Sequence, residues 1–151
     1  MSEGISRSIF LIGFMGAGKS TIARALQREL GFPLIEMDER IVKEQGMSIN
    51  DIFAQYGEDH FRDIESQLIV DIGKEEPSIV SCGGGVVVRP QNTQNMKEIG
   101  RIVFLKATPE TIYERVKNST DRPILNGHMN VEYIAELMEK RRALYEAAAD
   151  I

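Results

Sequence analysis

The chain has 151 residues, the size of one ordinary domain, and 42% of them are apolar, enough to fill a single core. Its 18 basic and 23 acidic residues leave a net charge of −5, a balance that excludes a broad phosphate-backbone footprint and disfavours a nucleic-acid partner. The single cysteine, Cys82, excludes an intrachain disulfide or cysteine-rich metal site and suits a reducing cytoplasm, and the apolar stretch near the start is too short for a membrane span and lacks a signal peptide's features.

After the polar residues 1–7, Ser8-Ile9-Phe10-Leu11-Ile12 reads as a buried strand that stops at Gly13. Beyond the glycine-rich residues 13–18, Ile22, Ala23, Leu26 and Leu30 recur at helical spacing and Gly31 supplies the stop. Residues 33–38 read as a second strand whose period of two places Glu36 and Asp38 on one face. Ser48 and Asp51 mark a helix start before Ile52 and Phe53, and Phe61, Ile64, Leu68 and Ile72 form the inner stripe of a longer helix. Residues 78–82 are a third strand running into Gly83-Gly84-Gly85, and residues 101–106 a fourth. Thr108-Pro109-Glu110 opens a helix through Ile112 and Val116. Residues 118–128 are a polar loop, and a last helix begins near Asn130 with Val131, Ile134, Leu137, Met138 and Tyr145 in phase. Strands alternating with helices predict right-handed crossovers and a parallel sheet, with ligands at the C-terminal strand ends.

Those ends carry the chemistry. Gly13-Phe14-Met15-Gly16-Ala17-Gly18-Lys19-Ser20 fits G-x-x-x-x-G-K-[ST] between a strand and a helix, the phosphate-binding P-loop. Its backbone N–H groups and the helix N-terminus face an anion, Lys19 neutralises β- and γ-phosphates, and the Ser20 hydroxyl is placed to ligate Mg²⁺. The glycine spacing is not that of a dinucleotide fold, and the Asp-x-x-Gly and Asn-Lys-x-Asp strings of a signalling GTPase do not occur.

Beside a P-loop, Glu36 and Asp38 divide into a carboxylate that holds Mg²⁺ through water and one that orients or deprotonates an acceptor hydroxyl; the alternative is a pair of solvated acids. Arg62 and Glu65 are three apart, which fits either a guanidinium fork aimed at a substrate carboxylate or a surface ion pair. Gly83, Gly84 and Gly85 are costly in backbone entropy and imply close approach by a ligand, or else a plain loop. Arg122 is placed to swing over a nucleotide, or is an exposed arginine. Arg141, between Lys140 and Arg142, belongs on spacing alone to a solvated basic face. His60 and His128 have no cluster around them and read as non-catalytic, and Cys82 reads as a core residue.

Taken together, the sequence resembles the shikimate kinases, small monomeric relatives of the nucleoside monophosphate kinases. The resemblance runs from the P-loop with Thr21 through Asp38, Asp51-Ile52-Phe53, Gly57-Glu58 and Phe61-Arg62-Asp63-Ile64-Glu65. It continues through Gly83-Gly84-Gly85, Asp121-Arg122-Pro123-Ile124-Leu125 and Lys140-Arg141-Arg142-Ala143-Leu144-Tyr145. It implies a three-layer α/β/α P-loop kinase fold over residues 1–151, with a parallel sheet of order 2-3-1-4-5, a substrate-binding region near 38–66 and a lid at 118–128. The implied reaction is Mg²⁺-dependent transfer of the ATP γ-phosphoryl group to the 3-hydroxyl of shikimate, giving shikimate 3-phosphate and ADP in aromatic amino-acid biosynthesis, by a cytoplasmic monomer.

In that scheme Asp38 is the base, and Lys19 and Arg122 stabilise the transferring group. Arg62, Arg141 and Gly84, with Gly83 and Gly85, hold the substrate, Glu65 orients Arg62, and Phe53 and Phe61 wall the pocket. Gly16, Ala17, Gly18, Lys19, Ser20, Thr21, Arg115 and Arg122 bind the nucleotide, with Arg115 stacked on adenine, and Ser20 and Glu36 serve Mg²⁺. Glu36 stands where the family usually has aspartate. The family also continues past the last helix with a fifth strand, an adenine loop and a further helix, of which Ala149-Asp150-Ile151 would be only the start. The residues alone also fit a kinase of another small hydroxy acid such as gluconate or of a nucleoside monophosphate, or a non-catalytic ATP-binding module.

Overall fold

The computed structural model describes residues 7–14, 18–117 and 130–150. Four strands, β1 (Ser8–Ile12), β2 (Leu34–Glu36), β3 (Ile79–Ser81) and β4 (Gly100–Phe104), form an all-parallel sheet of order β2-β3-β1-β4. The helices are α1 (Lys19–Leu30), α2 (Met37–Gln45), α3 (Ile49–Tyr56), α4 (Glu58–Ile72), α5 (Pro90–Ile99), α6 (Pro109–Val116) and α7 (Val131–Ala148). The order is that expected of the first four strands. Beyond α7, the Asp150 N–H donates to the Ile102 carbonyl (2.8 Å) and its carboxylate accepts from the Ile102 N–H (2.8 Å), on the side of β4 where a fifth strand belongs.

Strand alternation builds the layers. In β1, Phe10 and Ile12 face a large core with Ile102, Val80, Met37, Ile41, Ile69, Ile72, Met96 and Tyr145, whereas Ile9 and Leu11 face Ala23, Leu26 and Leu30 of α1. A third cluster of Phe14, Ile112 and Ile134 ties α6 and α7 to the end of β1. Both sheet faces are therefore covered, as a three-layer α/β/α fold requires. Helix starts follow the side chains that mark them: the side-chain oxygens of Ser48, Thr108 and Asn130 accept from the backbone N–H three residues on, at 3.1, 3.1 and 2.7 Å. Among the described residues, no helix is long and apolar enough to cross a membrane.

Three elements differ from the sequence expectation. Strand β2 ends at Glu36, and Asp38 lies in the first turn of α2, so a strand-to-helix junction and not strand alternation brings the two acids together. Helix α5 and the 3₁₀ turn Val86–Val88 were not anticipated, because the polar string Pro-Gln-Asn-Thr-Gln-Asn carries a weak apolar stripe and only Pro90 signals the start. Ile22, expected on the buried face of α1, is 41% exposed and lines the cleft at the C-terminal strand ends.

At the start of β4 the packing leaves no room for a side chain: a Cβ on Gly100 would lie 1.9 Å from the Ser8 carbonyl oxygen of the neighbouring strand. Gly100→Ala is expected to force β1 and β4 apart and lower stability by about 1–3 kcal/mol, as overpacked substitutions do, measured by urea denaturation.

Candidate active site

The C-terminal ends of β1, β2 and β3 open into one cleft of about 1030 Å³. At its phosphate end, Gly18 caps α1 with φ of 100°, a left-handed conformation that favours glycine, and the first-turn N–H groups of α1 point outward. Lys19 is buried, and its Nζ donates to the carbonyls of Gly13 (2.7 Å) and Phe14 (3.1 Å), which holds the ammonium over the end of β1. The Ser20 hydroxyl donates to Glu36 Oε1 at 2.9 Å, and Arg24 approaches the other Glu36 oxygen at 4.0 Å. Thr21 lines the same wall, and Arg115, from the last turn of α6, places Nη1 3.5 Å from the point a Gly18 Cβ would occupy.

Arginines and carboxylates dominate the other end. Arg62 is buried in α4 and donates to Glu65 Oε1 (3.1 Å) and Glu58 Oε2 (3.1 Å). Glu65 is fully buried, and its Oε2 has no hydrogen-bond partner. Burial pushes the Glu65 carboxyl up to about 7; Arg62 opposes the rise, the charge of Asp38 adds to it, and Arg141 opposes it again.

Arg141 comes from α7, one helical position from the exposed Lys140 and Arg142, and its buried Nη1 has no hydrogen-bond partner. The three basic residues therefore do not form one solvated face: helical phase turns the middle one into the cleft. Phe53 and Phe61 meet at 5.2 Å between ring centroids, tilted 47°, and wall this end.

The triple glycine sets how closely these groups converge. A Cβ on Gly83 would lie 2.8 Å from Glu65 Oε2 and 3.0 Å from Asp38 Oδ1, and one on Gly85 would lie 2.4–2.6 Å from the Arg62 guanidinium. The close approach expected there is thus made by the protein's own side chains. The Gly84 carbonyl accepts from the Tyr145 hydroxyl.

The structure therefore gathers Gly18, Lys19, Ser20, Thr21, Glu36, Asp38, Phe53, Phe61, Arg62, Glu65, Gly83, Gly84, Gly85, Arg115 and Arg141 around one cleft. Arg62 and Glu65 are a buried pair, which removes the surface ion-pair alternative. Gly16, Ala17 and Arg122, and the lid at 118–128, lie outside the described residues. Cys82 is buried, as expected of a core thiol, yet also borders the cleft. Sequence reasoning missed Lys43, Ile49 and Asn50, which line the cleft beside Phe53. Ile49 stands one turn before Phe53, a spacing that was legible once Ser48 was read as a cap.

The family model described as "Shikimate kinase" matches residues 15–151. The shikimate kinase of Dehalococcoides mccartyi is 44% identical over 144 residues, covering 95% of this chain and 81% of the relative. That of Thermodesulfovibrio yellowstonii is 42% identical over 142 residues, covering 94% and 82%. The solved structure of the Acinetobacter baumannii shikimate kinase in complex with shikimate superposes with a TM-score of 0.93 at 28% identity, covering 97% of this chain and 82% of that one. On the breadth of the sequence match and the shared fold, the chain belongs to the shikimate kinase family.

Proposed function

We propose that the chain transfers the γ-phosphoryl group of ATP to the 3-hydroxyl of shikimate, with the residues of this cleft in the following roles. The triphosphate lies on the loop from Gly13 to Ser20 and the N-terminus of α1, with Lys19 as its counter-charge and Arg115 against the adenosine side. The shikimate carboxylate is held by the guanidinium groups of Arg62 and Arg141 and by the backbone of Gly83 to Gly85, with Phe53 and Phe61 against the ring. Asp38 accepts the proton of the 3-hydroxyl as its oxygen forms the new bond to γ-phosphorus and the bond to the ADP oxygen breaks. Arg122 adds charge stabilisation from residues 118–128. The observation that carries this reading is the convergence, in one cleft of a shikimate kinase family member, of a P-loop lysine, a carboxylate at the β2–α2 junction and two buried arginines.

The donors near the P-loop suit Mg²⁺, a hard cation that prefers oxygen ligands: the Ser20 hydroxyl and the Glu36 carboxylate lie 2.9 Å apart at the phosphate end. Among the described residues, no cluster of three or more His, Cys, Asp or Glu could hold a metal unaided. Ser20 and Glu36 would therefore hold the ion jointly with phosphate oxygens, where it would neutralise charge on the β- and γ-phosphates. Glu36 keeps the Ser20 hydroxyl oriented whichever groups complete that shell.

A coupled ADP-release assay with Mg-ATP tests the reading. Shikimate is expected to stimulate release, while gluconate, nucleoside monophosphates and the no-acceptor control leave it at background; stimulation by another acceptor alone would retire the substrate. Asp38→Asn is expected to cut turnover by about 10²- to 10⁴-fold with ATP affinity preserved, measured by kinetics and nucleotide titration. Gly85→Ala, whose Cβ displaces the Arg62 guanidinium, is expected to raise the KM for shikimate by at least about tenfold with a smaller change for ATP, since a buried charged contact is lost.

Glu65 gives a pH test. Its carboxyl is raised from 4.5 to about 7, so its contribution to stability is complete below pH 4.5 and is lost as pH rises through 7. Between those limits the wild type is expected to lose about 3 kcal/mol relative to Glu65→Gln, read from denaturation midpoints of both proteins at pH 5 and 8.

A further inference from the structure

We infer that Tyr145 is a positioning residue for the phosphoryl acceptor: its hydroxyl fixes the orientation of the peptide joining Gly84 to Gly85, so that the acceptor meets an N–H and not a carbonyl oxygen. The inference rests on the shikimate reading above and adds to it a residue outside the cleft wall. Tyr145 belongs to the core, is 2% exposed, and stacks on Phe104 at 5.1 Å between ring centroids and 22° between planes. It donates to the Gly84 carbonyl from the core side, so that oxygen points away from the cleft which Gly84 and Gly85 line. The described chain contains no cis peptide, and in a trans peptide the carbonyl of one residue and the N–H of the next point in opposite directions. The Gly85 N–H is therefore aimed at the cleft.

The neighbouring carbonyls are held as well. Gly83 accepts from the Val86 N–H (3.1 Å) and Gly85 from the Val88 N–H (3.0 Å), so all three carbonyls of the triple glycine are tied back and the turn presents its donors to an anion. Glycine alone does not enforce this, because a residue without a Cβ can rotate its flanking peptides at little steric cost. Reversing the 84–85 peptide would turn a carbonyl oxygen toward an acceptor carboxylate that Arg62 and Arg141 are placed to hold. The Tyr145 hydroxyl opposes that reversal.

Burial holds the phenol above its ordinary range; the charge of Arg141 and its hydrogen bond to the hydroxyl oppose the rise, as does Arg62, and Glu65 adds to it, so Tyr145 accepts from Arg141 and remains a donor to Gly84 across neutral pH. Arg141 lies four residues earlier on α7, so the same helix face delivers a guanidinium to the acceptor and a hydroxyl to the peptide beneath it.

Tyr145→Phe tests this, because phenylalanine keeps the ring, its stacking on Phe104 and the apolar packing, and deletes only the hydroxyl. The loss of the hydrogen bond to Gly84, and with it the one the hydroxyl shares with Arg141, predicts a rise of at least about 3- to 10-fold in the KM for shikimate, with kcat and the KM for ATP changed less than about twofold. Calorimetric titration of shikimate without nucleotide is expected to show the same loss of affinity, and the thermal midpoint is expected to move little. Unchanged acceptor affinity in the variant would overturn the inference, as would parallel loss of acceptor and ATP affinity with a lowered melting point, which marks a merely structural role. Failure of the wild-type chain to use or bind shikimate would overturn the substrate reading itself, and this inference with it.

Discussion

Two missing side chains govern the cleft. At Gly83 and Gly85 the positions of the absent Cβ atoms lie within 3.0 Å of Glu65, Asp38 and Arg62, so these three charged groups converge only because the turn beneath them carries hydrogen. A buried charge is tolerated only when paired and hydrogen-bonded, and here pairing depends on that closeness. Glu65 shows the tension: it is fully buried against Arg62 at 3.1 Å, yet desolvation still carries its carboxyl to about 7. Replacing the whole arrangement with well-packed apolar residues would cost the fold little or even stabilise it. The arrangement therefore serves the cleft more than the stability of the core.

The parallel sheet makes this convergence possible. Each strand delivers its following residues to the same edge: β1 the P-loop, β2 the Glu36–Asp38 junction, β3 the triple glycine. Contacts then run without a break from one end of the cleft to the other. Ser20 meets Glu36, the first turn of α2 carries the chain on to Asp38, and Gly83 lies under both Asp38 and Glu65. Arg62 covers Gly85, and Gly84 reaches Tyr145.

Much of this was legible in the residues. The P-loop string, the Ser48, Thr108 and Asn130 caps and the apolar strands are local signals, and the structure follows them with the expected strand order. What was not legible is tertiary. Nothing in the spacing of Arg62 and Glu65 distinguishes a buried pair from a surface one, since i,i+3 geometry is the same in both; burial against the glycine turn decides it. Arg141 sits between two exposed basic residues, and only the rotation of α7 against the 3₁₀ turn singles it out. The placement of Asp38 shows the opposite failure. Strand periodicity leads to the correct pairing with Glu36 for the wrong reason, because helix α2 begins before the alternation could act.

Charge distribution gives the arrangement its direction. The chain as a whole is acidic, at −5, yet the cleft collects Lys19, Lys43, Arg62, Arg115 and Arg141. Two anionic ligands must share this space, and in a cleft partly shielded from water their mutual repulsion would be large unless each met its own counter-charge. Lys19 sits with the P-loop, while Arg62 and Arg141 gather around the glycine turn, so the positive charge is divided between the two ends. The acids Glu36 and Asp38 sit at the β2–α2 junction that links them. In the proposed scheme, an acceptor with a carboxylate at one end and a hydroxyl at the other would be oriented by charge: its anion would be drawn to the arginines and its hydroxyl left beside Asp38. In that scheme a molecule without the carboxylate would lose the handle that Arg62, itself paired with Glu65 and Glu58, and Arg141, whose buried Nη1 has no partner, would supply.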